Sequence, residues 1–408
     1  MYNSAFHLGI SIQCINGTPT VDRLDHLPPF PLLIHYDSET MERDEIWICH
    51  VLRLHHRVRQ IYLHLPPSIL HKYLVLMDKH FPILENLCLL FEGDNVTTHT
   101  LPKSFLAPNL RHLDLPRICP PKRLRILTSA VSLVTLKLRN IQTSSYFHPR
   151  LLVARLSCLP KLEELSIGFS IPIPHPSAER ELLSQQGTLV TLPHLKYLEF
   201  LGVSAYLESL VTQIRVPLLE RLHVTFNQIT FASPRLSHLI NITEVFKLPA
   251  ADIFIGRDEV FLNLACHTPS LSIFKPFRLG VKCEQLGWQI DGVAQICSAL
   301  IPTLSFVEEL RLGFKYGMTI PEGYIEGTAW RELLKSFTGV KELYVAEVLL
   351  AELSRVLWVD QDPGFLPNLQ YIVVSDHVFS SFMNSYRVMR HPFQLLEPFP
   401  GPPPLVVI

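Results

Sequence analysis

The chain has 408 residues, of which 48% are apolar and 18% charged, and its net charge is −1. That composition is too apolar for a disordered chain and offers no bulk attraction to nucleic acid or anionic lipid. No apolar run reaches the ~18 uncharged residues of a membrane span. The eight cysteines are dispersed without a CxxC pair, so reduced thiols in a cytoplasmic or nuclear protein are expected rather than a secreted disulfide framework.

Residues 1–57 read as an N-terminal cap followed by a first helix. The opening MYNSAFHLGISIQ lacks a basic segment followed by an apolar one, so no secretory leader is expected. SIQCI (Ser11–Ile15) reads as a strand, and LDHLPPFPLLIHY (Leu24–Tyr36) as a proline-rich turn and a second strand. From Val58 a pattern L-x-x-L-x-L recurs, with Val, Ile or Phe allowed at its apolar places. The copies are VRQIYL (Val58), LENLCL (Leu84), LRHLDL (Leu110), LVTLKL (Leu133), LEELSI (Leu162), LKYLEF (Leu195) and LERLHV (Leu219). After a gap come VEELRL (Val307), VKELYV (Val340) and LQYIVV (Leu369). This signature, at this spacing, is that of a leucine-rich repeat. Six copies carry proline two residues before their first apolar place: Pro82, Pro108, Pro160, Pro193, Pro217 and Pro367. Proline ends whatever precedes it and favours entry into an extended segment.

Helical stripes fill the intervals. Apolar residues recur at i, i+3, i+4 and i+7 in Pro67–Lys79, Pro149–Leu159, Ser204–Ile214, Gly327–Phe337 and Val348–Trp358. Strands joined by helical crossovers become parallel neighbours. The expected fold is therefore α/β: a leucine-rich-repeat solenoid over 58–390, with parallel strands on its concave side and helices on its convex side. The last four residues of each copy should form the strand. Residues 241–283 break the pattern with a weak copy, ITEVFK from Ile242, then the alternating DIFI and EVFLNLA, so an antiparallel segment is expected near 250–283. Residues 391–408 are proline-dense and read as a tail.

Nineteen histidines invite a metal, yet none stands in HExxH or a paired Cys/His spacing, and no metal or cofactor is expected. Phosphate-binding glycine loops and the nucleophile elbow are missing from the sequence. Ser375, Asp376 and His377 are neighbours in sequence, which is not the spatial arrangement of a triad. A non-enzymatic role is expected, with a hydrolase in the irregular 241–300 region as a remote alternative. Charge is unevenly placed: Lys103–Arg155 holds ten basic residues and one acidic, whereas Leu304–Asp376 holds six basic and eleven acidic. The repeat register puts polar and aromatic side chains on the concave face. The expected partner-binding residues are Tyr62, His112, Lys137, Arg139, Glu164, Tyr197, Arg221, His223, Glu309, Arg311, Glu342, Tyr344 and Tyr371, because Tyr and Arg tend to carry interface energy. Lys137 and Arg139 are expected to attract an acidic partner.

LDHLPPFPLLIHY at Leu24 resembles the F-box-associated leucine-rich-repeat proteins of mushroom-forming fungi. FPILENLCL at Phe81, LVTLKLRNI at Leu133, GVSAYLESLV at Gly202, VPLLERLHVTFNQITF at Val216, GWQIDGVAQIC around Trp288 and WRELLKSFTGVKELYV at Trp330 are similar to that group in the same order. The resemblance covers about the whole chain. It implies the substrate-recognition part of a ubiquitin-ligase receptor. Members carry an upstream F-box that binds the Skp adaptor. The nearest string here, DEIWICHVLRL at Asp44, lacks that motif's leading Leu-Pro pair, so the Skp–cullin machinery is expected only if an F-box lies upstream. The alternative is a free-standing scaffold or sensor. An unknown protein partner on the concave face and a monomeric chain are expected, with neither membrane nor nucleic acid as partner.

Overall fold

The computed structural model describes residues 10–13, 31–37, 45–91, 99–119, 125–142, 145–170, 188–228, 234–265, 276–282, 286–314, 327–358, 366–375, 394–395 and 405–407. The chain groups into two compact units, Met1–Glu199 with Gln213–Leu218, and Phe200–Thr212 with Leu219–Ile408. Both are mixed α/β.

Among the described residues of the first unit, beside two short parallel pairs, His99–Thr100 with Ile118–Cys119 and Val190–Thr191 with Ile214–Arg215, the main sheet carries seven parallel strands in chain order. They are β1 (Ile10–Gln13), β2 (Leu32–Asp37), β3 (Val58–Leu65), β4 (Asn86–Phe91), β5 (His112–Pro116), β6 (Thr135–Ile141) and β7 (Glu164–Phe169), each paired with the next. β8 (Tyr197–Val203) begins in this unit. The helices are α1 (Glu45–Arg53), α2 (Pro67–Leu76), α3 (Arg125–Ser129) and α4 (Pro149–Leu156). The first two β-strands continue the parallel sheet, so the expected cap is built from the same element as the repeats.

Each repeat is entered through a turn. Leu84 N–H bonds to Phe81 O, Leu110 N–H to Ala107 O, Leu162 N–H to Leu159 O and Leu195 N–H to Leu192 O. The recurrent proline therefore occupies the second place of a four-residue turn, where its fixed φ is already correct. The next N–H then starts the ladder: Glu85 to Arg59 O, Arg111 to Glu85 O, Val134 to Arg111 O and Glu163 to Val134 O, all at 2.7–2.8 Å. Asn109 adds a side-chain rung, its Nδ2 donating to Pro82 O at 2.7 Å. Beyond the turn, one set of side chains is fully buried, including Leu87, Leu113, Leu136 and Leu165, and the alternate set is at least partly exposed in β5 and β6, whereas Ser166 of β7 is buried. Asn140 adopts a left-handed conformation (φ 54) that asparagine tolerates, and Ile141 resumes pairing with Phe169 after this bulge.

The second unit contains α5 (Ser204–Gln213, to Thr212 in this unit), β9 (Arg221–Gln228), α6 (Pro234–Ile242), β10 (Ala250–Ile255), β11 (Glu259–Ala265) and β12 (Phe277–Lys282). It continues with α7 (Leu286–Ala299), β13 (Glu309–Phe314), α8 (Gly327–Leu334), β14 (Glu342–Ala346), α9 (Glu347–Trp358), β15 (Tyr371–Ser375) and β16 (Leu405–Val407). The spatial order is β9-β12-β11-β10-β13-β14-β15-β16. Strand β11 is antiparallel to both of its neighbours, and the other adjacent pairs are parallel. The chain thus leaves β9, skips two places to β10, and returns through two hairpin-like steps to lie beside β9. Gly256 closes the first step: its N–H donates to Glu259 O at 2.6 Å, and an added Cβ would lie 2.8 Å from that oxygen.

The antiparallel insertion lies where the alternating stretches placed it. ITEVFK is not a strand. Its backbone closes locally into a 3-10 turn over Glu244–Phe246, with Phe246 N–H on Thr243 O and Lys247 N–H on Glu244 O, so those donors are taken from any ladder. The strand starts after Pro249 instead. Part of the expected tail, Leu405–Val407, pairs in parallel with β15. Helix α6 has a cap supplied from another helix: the buried Glu208 carboxylate of α5 accepts the N–H groups of Arg235 (2.7 Å) and Leu236 (3.1 Å). These are first-turn donors that the helix itself cannot satisfy.

Candidate protein-binding face

Nine of the ten repeat strands begin at the third residue of their copy, from Asn86 in β4 to Tyr371 in β15; β3 begins two residues earlier. Side chains at the third and fifth places therefore leave the sheet on the face opposite the buried leucines. Within the first unit, the ladder places Gln60, Asn86, His112, Thr135 and Glu164 side by side in one row. Tyr62, Cys88, Asp114, Lys137 and Ser166 form the next row, and Pro116 with Arg139 lies beyond. Of the expected binding residues, Tyr62, His112, Lys137, Arg139 and Glu164 share this polar face, and Tyr197 opens β8 next along, its N–H on Glu163 O.

The face is not a bare positive strip. Arg139 Nη2 donates to Asp114 at 2.9 and 2.7 Å, and Lys137 Nζ lies 3.2 Å from Glu164 Oε2. Ser166 Oγ donates to Glu199 Oε2 at 2.6 Å, and the His112 ring lies 3.1 Å from Thr135 Oγ1. The His35 and Tyr62 rings stack at 4.5 Å. Burial works against the Arg139 charge, but the Asp114 hydrogen bond and charge outweigh it and raise its pKa. Burial and the nearby Arg111 lower that of His112. Burial, then Asp114, pushes the Cys88 thiol up to about 12, which makes it a poor nucleophile. The two cations singled out as a field for an acidic partner are thus already paired across strands.

In the second unit, Glu309, Glu342 and Tyr371 are aligned, and so are Arg311, Tyr344 and Val373. Arg311 lies 3.2 Å from Glu309 and above the Tyr344 ring at 5.2 Å, and Tyr344 OH donates to Glu342 at 2.7 Å. Burial, then this hydrogen bond, pushes the Tyr344 phenol up to about 12. Arg221 and His223, both partly buried, open β9.

The row through His223 contains residues that the repeat pattern did not reveal. In ladder order it runs His223, Arg278, Asn263, Asp252, Arg311, Tyr344. Asn263 and Asp252 are only 1% and 2% exposed, and neither amide atom of Asn263 has a hydrogen-bond partner among the described residues. Phe261 and Phe254 pack at 5.5 Å beside them, with Gly280 and Gly313 as their ladder neighbours. Arg278 lies over Phe261 at 4.2 Å. The alternation within AADIFI and EVFLNLA could have flagged these positions, had the strand start been set at Ala250.

A second ladder escaped the sequence reading because it sits at the second place of each copy. Arg59 pairs with Glu85 (3.0 Å), Glu163 with Lys196 (3.1 Å) and Glu308 with Lys341 (2.8 Å). Opposite charges on consecutive repeats favour the correct neighbour over a skipped one. Among the described residues, no group of three or more His, Cys, Asp or Glu could hold a metal ion, and no helix is long and apolar enough to cross a membrane. No protein-family model matches the chain, and none of the curated proteins matches it.

Proposed function

We propose that the chain is a non-catalytic leucine-rich-repeat solenoid that binds another protein across the polar face of its strands. The supporting observation is the register: consecutive strands offer aligned Tyr, His, Arg and Glu side chains on a face that the leucine core does not use. Such rows, spaced about 4.8 Å apart, can follow an extended or irregular partner surface. By its resemblance, the chain acts as the substrate-recognition part of an F-box-type receptor. The alternative is a scaffold without a ubiquitin link.

Affinity capture tests the binding role, comparing the wild type with a triple variant, Tyr62→Ala, Tyr197→Ala and Tyr371→Ala. A protein retained by the wild type and lost by a folded triple variant supports the role; identical retention by both rejects this face. For the ligase link, the Skp adaptor is mixed with the 408-residue chain. No complex is expected, and a stable one would overturn the assignment of adaptor binding to a separate F-box.

A further inference from the structure

On the polar face of the first unit, Lys137 and Arg139 have acidic partners. Positive charge without an ion-pair partner among the described residues lies elsewhere in that unit. Along the edge where the strands begin, a cavity of about 280 Å³ is lined by Ile83, Glu85, Asn109, Arg111, Ser132 and Lys161. Ile83, Asn109, Ser132 and Lys161 each directly precede the first apolar residue of a copy, and Glu85 and Arg111 follow it. The four copies are consecutive, so the turns that shape the repeats also assemble the cavity.

The charges inside it are unequal. The Glu85 carboxylate is held by Arg59 at 3.0 Å, and Asn109 Nδ2 is committed to Pro82 O. Arg111 and Lys161 are exposed, and neither is in an ion pair among the described residues. Their copies are two strands apart, about 10 Å at the backbone, with the Ser132 hydroxyl on the copy between. A guanidinium, an ammonium and a hydroxyl lining one small cavity suit a tetrahedral dianion better than a single carboxylate. Ile83 supplies an apolar wall for the carbon that carries it. We propose that this cavity binds a phosphomonoester group borne by a serine or threonine side chain of a protein partner. The protein source rests on the proposed binding role, because Arg111 directly precedes His112 on the polar face. The phosphate chemistry does not depend on that role.

The intact chain is titrated, at about 0.15 M salt where distant charges are screened, with a labelled phosphoserine peptide with neutral flanks, its unphosphorylated twin and its glutamate twin. Saturable binding is expected for the phosphopeptide, with weaker binding of the glutamate twin, no saturation by the unphosphorylated twin, and displacement by inorganic phosphate. Arg111→Gln and Lys161→Gln should each weaken binding about tenfold, the scale of one charge-assisted hydrogen bond. Lys335→Gln, in the other unit, should leave binding unchanged. If the double variant melts early, the charge-preserving exchange Arg111→Lys with Lys161→Arg must keep the preference for phosphate. No saturable phosphopeptide binding, equal binding of the unphosphorylated twin, or unchanged binding by a folded double variant would overturn the proposal. Because the probe needs no natural partner, its failure leaves the protein-binding role to be judged by capture.

Discussion

Strands β5 and β6 of the first unit and β10 and β11 of the second are alike on the leucine face and treat the other face differently. In the first unit the burial of β5 and β6 alternates, and the outward residues are polar, partly exposed and paired across strands. In the second, β10 is buried on both faces along its whole length, and so is β11 after Glu259. A strand buried on both faces needs apolar residues at odd and even places alike, and AADIFI and VFLNLA supply them. Of the polar exceptions there, Asp252 and Asn263, Asn263 is the costly one, since a buried amide without partners among the described residues carries a desolvation penalty. A repeat code therefore specifies the leucine face, while the residues between the leucines decide what the other face can do.

Removing an outward aromatic ring should break this comparison most visibly. Phe261→Ala empties a site that is 8% exposed and should cost about 3–5 kcal/mol in chemical denaturation. Tyr62→Ala, at an equivalent outward place in the first unit, should cost under about 1 kcal/mol. Equal losses would erase the distinction. On the leucine face both units should respond alike: Leu165→Ala and Leu262→Ala should each cost about 2–5 kcal/mol, and a silent Leu165→Ala would mean the register is wrong.

Asn263→Leu sharpens the point. Replacing an unsatisfied buried amide by a side chain of similar volume should be neutral or stabilising, by up to about 2 kcal/mol. A clear loss of stability would mean that the amide is satisfied in solution.

Glu208 gives a pH signature. Burial raises its pKa more than its hydrogen bonds to the Arg235 and Leu236 N–H groups lower it. With the folded value above the unfolded one, the wild type binds the extra proton when folded. Its stability relative to Glu208→Gln should be greatest below the unfolded pKa and decline as pH rises through the raised value. Glu208→Ala, which removes the cap of α6 at every pH, should cost about 1–2 kcal/mol. A flat difference between wild type and Glu208→Gln across the acidic range would refute the shift.

The smallest effect belongs to the paired face of the first unit. A double-mutant cycle on Asp114 and Arg139 should yield about 0–1 kcal/mol of coupling, reduced by salt, because both side chains are partly in water. Reversing Lys137 and Arg139 to Glu would now place like charges beside Glu164 and Asp114. Stability should fall slightly, contrary to what unpaired surface cations would give.

The leucine face was legible in the sequence because its determinants are local. The apolar places of L-x-x-L-x-L and the proline two residues earlier fix the turn, the strand start and the buried set. Charge was misread because it was summed along the chain. Asp114 and Arg139 are 25 residues apart in sequence yet joined across strands, and only the ladder makes them partners. ITEVFK had apolar residues at workable spacing, but a local 3-10 turn captured its backbone. The row from Arg278 to Arg311 depends on a strand order that doubles back, which no periodicity within one segment encodes.

A protein partner is proposed to lie on the polar strand face. Photo-crosslinking side chains placed one at a time at Tyr62, His112 and Glu164 on that face of the first unit, and at the exposed Val75 and Val348 on helices, check this. Adducts to one and the same protein are expected from the strand positions, and none from Val75 or Val348. Adducts confined to the helix positions would contradict it.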